Sequence, residues 1–452
     1  MINLLKEAWT LAIEALSWMQ MQKLSEPLAF AKTVKQLNIQ DPDAKRLARM
    51  LIVETVRRRN FIDKIINNTI SPETMDEFDL GVQAFLRLYV YQTRTVKNWK
   101  KPNVEEAENI AKLGRSILGW KTIHKIEHML GFLLTQNQAS AFQGAEDAER
   151  TGLLTFHPTW FVEYCFRLFG RSESITMLEA NNQLPPTYVR LNTLKTDEKQ
   201  ILERLGSDGF KIEKVEGLKH TYEFKDATQP ITTTASFREG LFYIQDKASC
   251  FAVEAADPKP EMTVLDVCAA PGAKTTYLAQ LMQNKGAIYA VDYSKRRMNT
   301  WKNEVDHMGV TIAEPIIIDA RKPLPIATEA DVIVLDPPCT STGTFGKLPS
   351  AKWRLTPDSV NTMARFQWQM INSCAEYVKN GGTLIYSTCS ITVEENEMII
   401  EKFLKQHTEF SLTEITPKLG LSDLRGLDKC QRLYPHIHRC NGFFIAKIKK
   451  ET

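Results

Sequence analysis

Two cysteines of the sequence each follow a short apolar stretch with the composition of a β-strand. Cys389 lies in "YSTCS", after the apolar residues 383–386, and Cys339 lies in "DPPCTSTG", after residues 331–335. A structural cysteine is usually buried inside a helix or strand, whereas a thiol at a strand end beside a crevice is placed to react. The two positions therefore predict reactive thiols.

Methylation of carbon 5 of a pyrimidine is one reaction that needs such a thiol, because that carbon is a poor nucleophile until a thiolate adds to carbon 6. The reaction also needs a group that polarises N3 of cytosine and a base that removes the carbon-5 proton. We expect a protonated Asp336 to donate to N3, since burial near Asp319 would favour protonation. The second cysteine would assist elimination. Spacing alone does not tell which cysteine attacks.

A cofactor loop is indicated by "DVCAAPGAKT", residues 266–275, which joins an apolar strand to a helix. It matches neither the G-x-G-x-x-G pattern nor the P-loop pattern, so no glycine cradle for a pyrophosphate is expected. Its single glycine, Gly272, stands among small residues that allow a ligand to approach the backbone closely. The loop predicts a ligand with an amino-acid part and a nucleoside but no phosphate.

Three aspartates end successive predicted strands and agree with that ligand. Asp292, Asp319 and Asp336 follow the loop in order, and Asp292 stands 20 residues after Gly272. An acidic residue at that distance is placed to accept from ribose hydroxyls, and the carboxyl ends of parallel strands line the ligand crevice. Each aspartate alone would be read as a helix cap. The series predicts an S-adenosyl-L-methionine site.

The elements that position these residues alternate regularly from about residue 240 onward. Short apolar strands are predicted with helices between them, which is typical of a parallel, doubly wound sheet buried on both faces. A last strand is expected at or near an edge of this sheet. The predicted strands span residues 263–267, 287–292, 314–319, 331–336, 382–387 and 442–450.

The first part of the chain has a different pattern. Residues 1–140 show apolar residues at helical spacing and no strand signal, so they predict an all-helical domain. Residues 137–157 are small and polar and resemble a linker. Strands alternating with one helix then predict a small α+β module. The expected domains are 1–140, 150–235 and 236–452.

Composition restricts the class of protein. The 452 residues are 43% hydrophobic and 25% charged with a net charge of +3, so a nucleic-acid surface must be a local patch. Eight cysteines occur without a C-x-x-C pair, which disfavours a disulfide framework. The N-terminus lacks the pattern of a signal peptide, and no stretch reaches the roughly 20 apolar residues of a membrane span. We expect a cytoplasmic protein without a membrane partner.

The motifs "DVCAAPGAKT", "DPPCTSTG" and "YSTCS" resemble those of the Sun/Fmu (RsmB) group of RNA cytosine carbon-5 methyltransferases. The resemblance extends from about residue 158 to the C-terminus and includes "YVRLNTLK", "GLFYIQDKAS" and "RLYPHIHRCNGFFIAKI". The helical part resembles the NusB-like RNA-binding domain through "RLARMLIVETVRRRNFID" and "FLRLYVYQT". The implied fold is a Rossmann-like class I methyltransferase sheet, preceded by an all-α NusB-like domain and a small α+β module.

The resemblance also implies the residue roles. Cys389 would be the nucleophile, Cys339 would help to release the product, and Asp336 would contact the target base beside the cofactor. The implied S-adenosyl-L-methionine site combines strand-end aspartates with the whole cofactor loop: Cys268, Ala269, Ala270, Pro271, Gly272, Ala273, Lys274, Asp292, Asp319 and Asp336. The group usually has Pro-Gly-Gly-Lys in this loop, and Ala273 is a mild departure unless the position needs a positive φ.

The implied reaction is S-adenosylmethionine-dependent methylation of carbon 5 of a cytidine in RNA through a covalent cysteine adduct. Small-subunit ribosomal RNA is the favoured substrate because of the NusB-like domain, and a monomer is expected. Transfer RNA is the nearest alternative. A non-catalytic RNA-binding ribosome-assembly factor is disfavoured by the intact pair of cysteines, and a DNA methyltransferase by the Thr-Cys-Ser motif.

Basic residues and one metal-like cluster have open interpretations. Arg57, Arg58 and Arg59, and Lys97, Lys100 and Lys101, form either a solvated helix face or phosphate contacts. Lys347, Lys352 and Arg354, after Pro-Pro-Cys, are further candidates for phosphate contact. The types of Cys430, His436, His438 and Cys440 suit a metal, but their spacing matches no standard zinc pattern, so no metal is predicted.

Overall fold

Residues 2–95 and 101–451 are described by the computed structural model of the protein. They form two units. The helical unit comprises Met1–Gln183 and Phe345–Arg354, and the catalytic unit comprises Leu184–Thr344 and Leu355–Thr452. The helical unit thus contains ten residues that the sequence places after Pro-Pro-Cys. The predicted division into domains 1–140, 150–235 and 236–452 stays a prediction.

The helical unit confirms the all-helical reading of the N-terminal region. Its ten longer helices are α1 to α10: Ile2–Gln22, Glu26–Leu37, Pro42–Arg57, Arg59–Ile70, Leu80–Val90, Val104–Leu118, Trp120–Thr135, Asp147–Thr155, Thr159–Phe169 and Arg171–Ala180. Short 3₁₀ turns, Met75–Glu77 and Gln138–Phe142, a π-turn at Tyr91–Thr95 and a helical turn at Ala351–Arg354 complete it. Residues 96–100, with Lys97 and Lys100, lie outside the described residues.

Local sequence explains how the helices begin. Asp41 caps α3, because its carboxylate accepts the backbone N–H groups of Asp43 and Ala44. Pro42 suits the first helical position, because it has no N–H group that would need an acceptor there. Apolar side chains of α1, α3, α4 and α5 fill one core, with Phe85, Leu86 and Ile62 fully buried. The expected linker at 137–157 is wrong. It contains α8, whose Leu153 is buried in the same core.

A small antiparallel sheet opens the catalytic unit and confirms the α+β module. Its strands are β1 (Tyr188–Leu191), β2 (Phe210–Lys214), β3 (Thr221–Ala227) and β4 (Phe242–Ile244), in the order β2-β3-β1-β4. The helices α11 (Glu198–Ser207) and α12 (Ala235–Arg238) and the 3₁₀ turn Ile231–Thr233 connect them. Val189, Leu191 and Phe242 are buried in the core of this module.

The large sheet has eight strands. They are β5 (Thr263–Val267), β6 (Ala287–Asp292), β7 (Ala313–Ile317), β8 (Ala330–Leu335), β9 (Val378–Thr388), β10 (Phe410–Leu412), β11 (Gln431–Leu433) and β12 (Phe443–Lys450). The order is β10-β12-β9-β8-β5-β6-β7, with β11 paired to β12. The strands β9, β8, β5, β6 and β7 are parallel, whereas β12 pairs antiparallel with β9.

Six described helices precede or connect the strands of this sheet: α13 (Lys247–Ala256), α14 (Ala273–Leu281), α15 (Lys295–Met308), α16 (Pro357–Ala375), α17 (Glu397–Gln406) and α18 (Pro435–His438). Alternate strand residues pack in two separate cores, as burial of both sheet faces requires. Val264 and Val334 belong to one core, and Leu265 and Leu335 to the other. The Rossmann-like fold is therefore confirmed, with a mixed rather than an all-parallel sheet.

Candidate active site

The predicted site residues follow the carboxyl ends of adjacent parallel strands. The cofactor loop follows β5, Asp292 ends β6, Asp336 and Cys339 follow β8, and Cys389 follows β9. These strands are neighbours in the order β9-β8-β5-β6. The carboxyl ends of neighbouring parallel strands form the ligand crevice of an open α/β sheet.

The cofactor loop uses two residues with left-handed backbone. Cys268 has φ +65° and Gly272 has φ +118°, and the Gly272 N–H donates to the Ala269 carbonyl at 2.9 Å. Ala273 starts α14 and has no positive φ, so the departure from Pro-Gly-Gly-Lys costs no backbone strain. The glycine that this turn requires is Gly272.

A buried aspartate that the sequence reasoning did not single out is the first residue of the motif that contains this loop. Asp266 in β5 accepts the Thr275 hydroxyl at Oδ2 at 2.5 Å, while its buried Oδ1 has no hydrogen-bond partner among the described residues. Burial raises the pKa of Asp266 to about 6. The signal in the sequence was a charged residue inside the apolar run of a central strand.

The other aspartates differ in their surroundings. Asp292 is buried, accepts the Ser294 N–H at 3.0 Å, and lies 3.0 Å from Nη1 of Arg297. Asp319 lies two residues after β7 and is paired with Arg321, whose hydrogen bonds lower the pKa of this carboxyl. Asp319 is partly exposed, and its carboxylate is held in the ion pair with Arg321.

Asp336 is ion-paired with Lys274, in the first turn of α14. Burial disfavours the charged ammonium, but the neighbouring Asp336 carboxylate outweighs it, so the pKa of Lys274 is raised. We expected burial near Asp319 to protonate Asp336. The structure instead gives Asp336 a cationic partner, so a donor role toward N3 requires this pair to open.

The two strand-end cysteines lie side by side. Their Sγ atoms are 3.2 Å apart, and the Ser341 hydroxyl lies 3.5 Å from Cys389 Sγ and 3.9 Å from Cys339 Sγ. Both thiols are partly buried, whereas Cys165 and Cys374 are buried in helices as expected of structural cysteines. Ser341, which has φ +56°, was not predicted as a site residue.

The two thiols are not equivalent. The hydrogen bond from Cys339, helped by Ser341 and the charge of Lys274, lowers the pKa of Cys389 despite its burial. The same contact with Cys389, together with burial, raises the pKa of Cys339 well above its usual value. The directions of the two pKa shifts make Cys389 the more acidic thiol and Cys339 the hydrogen-bond donor of the pair.

Three families match successive parts of the chain. The family described as "16S rRNA methyltransferase RsmB/F" matches residues 253–449, its ferredoxin-like domain matches 157–227, and the NusB family matches 6–116. The chain is 30% identical over 335 residues to "Ribosomal RNA small subunit methyltransferase B" of Yersinia enterocolitica, covering 72% of this chain and 74% of the relative. The chain belongs to the RsmB/F methyltransferase family.

Two further matches extend over almost the whole chain. The "Probable ribosomal RNA small subunit methyltransferase B" of Bacillus subtilis is 29% identical and covers 98% of both chains. The solved structure of PH0851 is 31% identical, has a TM-score of 0.84, and covers 98% of this chain and 99% of its own. The RsmB/F resemblance is thus confirmed, and the chain is an S-adenosylmethionine-dependent RNA (cytosine-5-)-methyltransferase.

The residues of the cofactor loop fit S-adenosylmethionine. The free Oδ1 of Asp266 and the buried Asp292 offer acceptors for amino and hydroxyl donors, and the loop lacks a phosphate cradle. These two carboxylates would accept hydrogen bonds from the amino-acid and ribose parts of the cofactor. Bound there, it would supply an electrophilic methyl group.

Several basic residues of this RsmB/F chain do not face solvent as expected. Arg57 is fully buried and donates to the carbonyls of Asn181 and Gly346 within the helical unit. Lys352 is also buried, donates to Phe156 and Asn182, and has a pKa far below its usual value because of burial. The prediction that Arg57 or Lys352 contacts phosphate is therefore wrong, because both side chains are buried and donate to acceptors inside the helical unit.

The remaining basic candidates differ in exposure. Arg58 pairs with Glu54, Arg59 is 39% exposed beside Asp63, and Arg354 donates to the Lys23 carbonyl. Lys101 and Lys347 are exposed. Contact of these five residues with RNA stays a prediction.

The metal-like cluster is divided by the fold. Cys430 and Cys440 belong to the two different cores of the large sheet, and Nδ1 of His438 accepts the Tyr434 N–H at 2.8 Å. Among residues 2–95 and 101–451, no group of three metal-ligating side chains is placed to hold an ion. No helix in these ranges is long and apolar enough to cross a bilayer.

Proposed function

We propose that the enzyme methylates carbon 5 of a cytidine in small-subunit ribosomal RNA, with Cys389 as the nucleophile. The observation that carries the proposal is the pair of inequivalent thiols 3.2 Å apart at the ends of β8 and β9. The names of the relatives from Yersinia and Bacillus support the ribosomal substrate. The proposal places the enzyme in the cytoplasm, as a monomer, with RNA as its partner.

The chain's own residues would act in a fixed order. The Cys389 thiolate adds to carbon 6 of the cytosine, which makes carbon 5 nucleophilic, and carbon 5 accepts the methyl group. As Cys389 attacks, the proton that Cys339 held passes by way of Asp336 to N3 of the base, so Cys339 is a thiolate when it takes the carbon-5 proton. The bond between Cys389 and carbon 6 then breaks with its electron pair returning to sulfur, and the N3 proton leaves to solvent, which restores the neutral aromatic base. The raised pKa of Cys339 suits a group that must accept a proton.

The remaining site residues would orient the reactants. Asp336 would contact the base at N3 after its pair with Lys274 opens, and the released ammonium would remain beside the Cys389 thiolate. The residues 268–274, with Asp292, would hold the cofactor, and Asp319 would contribute only after leaving Arg321. The target cytidine must leave its base stack to reach the thiols.

The test compares two single-thiol variants on unmodified ribosomal RNA. Cys389→Ala should abolish both methyl transfer and the covalent enzyme–RNA adduct. Cys339→Ala should still attack but fail to eliminate, so the adduct should accumulate on a denaturing gel. Normal turnover by Cys339→Ala together with adduct formation by Cys389→Ala would reverse the assignment.

Bisulfite mapping of the same reactions tests the substrate. One protected cytidine in small-subunit ribosomal RNA supports the proposal. A protected cytidine found only in transfer RNA would keep the chemistry and overturn the substrate.

A further inference from the structure

A buried carboxylate, Glu395, joins the two cysteine-bearing turns and has no part in the mechanism above. It lies in the acidic segment "VEENE" after Cys389, two residues before α17 begins. Its side chain is fully buried. Its hydrogen-bond partners in the described chain include no lysine, arginine or histidine.

Five neutral donors converge on this carboxylate. Oε1 accepts the Thr340 N–H at 2.8 Å and the Gln367 amide at 2.9 Å. Oε2 accepts three hydroxyls, from Thr340, Ser390 and Thr392, at distances of 2.5 to 2.8 Å. A buried carboxylate is tolerated only when donors replace its hydration, and here they fully surround it.

The identity of these donors connects Glu395 to the thiols. Thr340 directly follows Cys339, and Ser390 directly follows Cys389. One side chain therefore holds the residue next to each active-site cysteine. The Gln367 amide also donates to the Pro338 carbonyl at 3.0 Å, so the residue before Cys339 is tied to the same network.

Secondary contacts close the two turns against each other. The Gly343 N–H donates to the Cys389 carbonyl at 2.9 Å, and the Ile391 N–H donates to the Thr342 hydroxyl at 3.0 Å. The next residue, Asn396, donates to the Ser390 carbonyl at 2.9 Å. The Thr340 and Ser390 hydroxyls also lie 3.2 Å apart, but both donate to Oε2 of Glu395 at shorter distances, so the carboxylate is the stronger link between residues 340 and 390.

We propose that Glu395 is a positioning residue that sets the separation of the Cys339 and Cys389 sulfur atoms. Its five hydrogen bonds fix the two turns that follow β8 and β9 at the spacing the thiol pair requires. The inference rests on the proposed two-thiol mechanism. The positioning role adds one requirement to that mechanism: a single buried carboxylate must bind the residues that directly follow the two cysteines.

Loss of this carboxylate has two chemical consequences. The proton shared by the sulfur atoms stabilises the Cys389 thiolate only at hydrogen-bond distance, so separated turns make Cys389 less acidic. Cys339 also moves away from the carbon-5 proton, which blocks elimination after attack. Both effects arise without contact between Glu395 and the RNA or the cofactor.

The test uses Glu395→Gln in the full-length chain, because glutamine keeps the volume and loses one acceptor oxygen. We expect kcat to fall about 100-fold, since displacement of reacting groups by 1 Å has an effect of that size. The KM for S-adenosylmethionine should stay within twofold. The variant should accumulate enzyme–RNA adduct, as is expected of Cys339→Ala, although both cysteines are present.

A measurement without RNA separates this inference from the proposed function. The pH dependence of Cys389 alkylation by iodoacetamide should shift to higher pH in Glu395→Gln. An unchanged alkylation profile would overturn the positioning role, whatever happens to turnover. Full activity of Cys389→Ala would instead overturn the mechanism and leave the alkylation result to judge Glu395.

Glu254→Gln is the matched control, because Glu254 is another buried carboxylate of the catalytic unit, and it accepts from the Lys219 backbone N–H and the Tyr277 hydroxyl. It should change neither the alkylation profile nor the adduct. Equal shifts in both variants would identify a general loss of packing and overturn the inference. If Glu395→Gln does not fold, Thr340→Ala removes one hydroxyl bond and is expected to give a smaller shift in the same direction.

Discussion

The acidity of Cys389 depends on one neighbouring thiol. Because Cys339 donates to Cys389 and stabilises the thiolate, replacing Cys339 by alanine should raise the pKa of Cys389. The alkylation rate of Cys389 should then reach its half-maximum at a higher pH than in the parent protein. Mass spectrometry of the modified peptide after timed iodoacetamide exposure measures this shift.

Two comparisons sharpen this expectation. Ser341→Ala removes a weaker contact at 3.5 Å, so it should move the profile in the same direction by a smaller amount. Cys374→Ala removes a buried helical thiol of the same unit and should leave the profile unchanged. A profile that Cys339→Ala leaves in place would show that the thiols are independent.

Asp266 should lower the stability of the cofactor-free protein at neutral pH. Burial raises its pKa from 3.8 to about 6, so the folded state holds this proton more tightly than the unfolded state. Stability from this group is present below the unfolded pKa and is lost as the pH rises to about 6. A shift of this size corresponds to about 3 kcal/mol at pH 7.5.

Asp266→Asn should therefore unfold at a higher temperature than the parent at pH 7.5, and the difference should shrink as the pH falls from 6 toward 3.8. The same variant should bind S-adenosylmethionine more weakly, because it loses an acceptor. Thermal scans and calorimetric titration at several pH values measure both. A difference in unfolding temperature between Asp266→Asn and the parent that stays the same at every pH would show that the titration of Asp266 is not its cause.

The helix α17 is fixed at its start by an ion pair that is almost completely buried. Arg432 in β11 donates to both oxygens of Glu397 and also to the Ile391 carbonyl, two residues after Cys389. Removal of one partner leaves an uncompensated buried charge. We expect Glu397→Gln to lower the free energy of unfolding of the catalytic unit by about 3–5 kcal/mol.

An ion pair between a later residue of the same helix and an exposed arginine outside it is the control. Arg425 and Glu401 form a similar contact, but Arg425 is 44% exposed. Arg425→Ala should cost less than about 1 kcal/mol in urea denaturation, because exposed ion pairs gain little. Equal costs for the two substitutions would show that burial of the Arg432–Glu397 pair has no special weight.

Some elements were readable from the sequence because one physical signal dominated. The central strands β5 and β6 have the predicted bounds, since apolar runs between turn residues identify buried parallel strands. The strands β4, β10 and β11 were missed, because three residues give no measurable period. The antiparallel direction of β12 depends on long-range pairing with β9, which no local pattern encodes.

The site was predictable where it follows strand ends and unpredictable where it depends on partners. Motif positions gave the two cysteines and the cofactor loop. The pairing of Asp336 with Lys274 and the burial of Lys352 required the fold, since a lysine in a polar loop has the sequence signal of a surface residue. Glu395 was hidden for the same reason, because acidic residues near a helix start are common.

The segment Phe345–Arg354 belongs to the helical unit and contacts the helix α2 of that unit. Glu26 accepts the Ser350 N–H and the Ser350 hydroxyl, each at 2.5 Å, and Trp353 donates to the Val56 carbonyl at 2.6 Å. Glu26→Gln removes one charged acceptor, at a cost of about 1.5–3 kcal/mol. We expect trypsin to cut native protein after Lys347 or Lys352 at least about tenfold faster.

The exposed Glu108 on α6 provides the comparison. Glu108→Gln should leave the rate of cleavage after Lys347 unchanged, since this residue is remote in sequence from every contact of the segment. Mass spectrometry of the early fragments identifies the cut. Unaltered cleavage in Glu26→Gln would mean that the Ser350 contacts do not hold the segment.

The same segment has a consequence for how the protein is made. The ribosome finishes residue 183 long before residue 345, because the 161 residues 184–344 separate the two parts of the helical unit. At elongation rates of about 5–20 residues per second, roughly 10 to 30 seconds pass before Phe345, Lys352 and Trp353 join the nascent chain. During that interval Phe156 and Asn182 lack the contact with Lys352, and Val56 lacks the contact with Trp353. The helical unit can therefore be completed only after synthesis has passed the first four strands of the methyltransferase sheet.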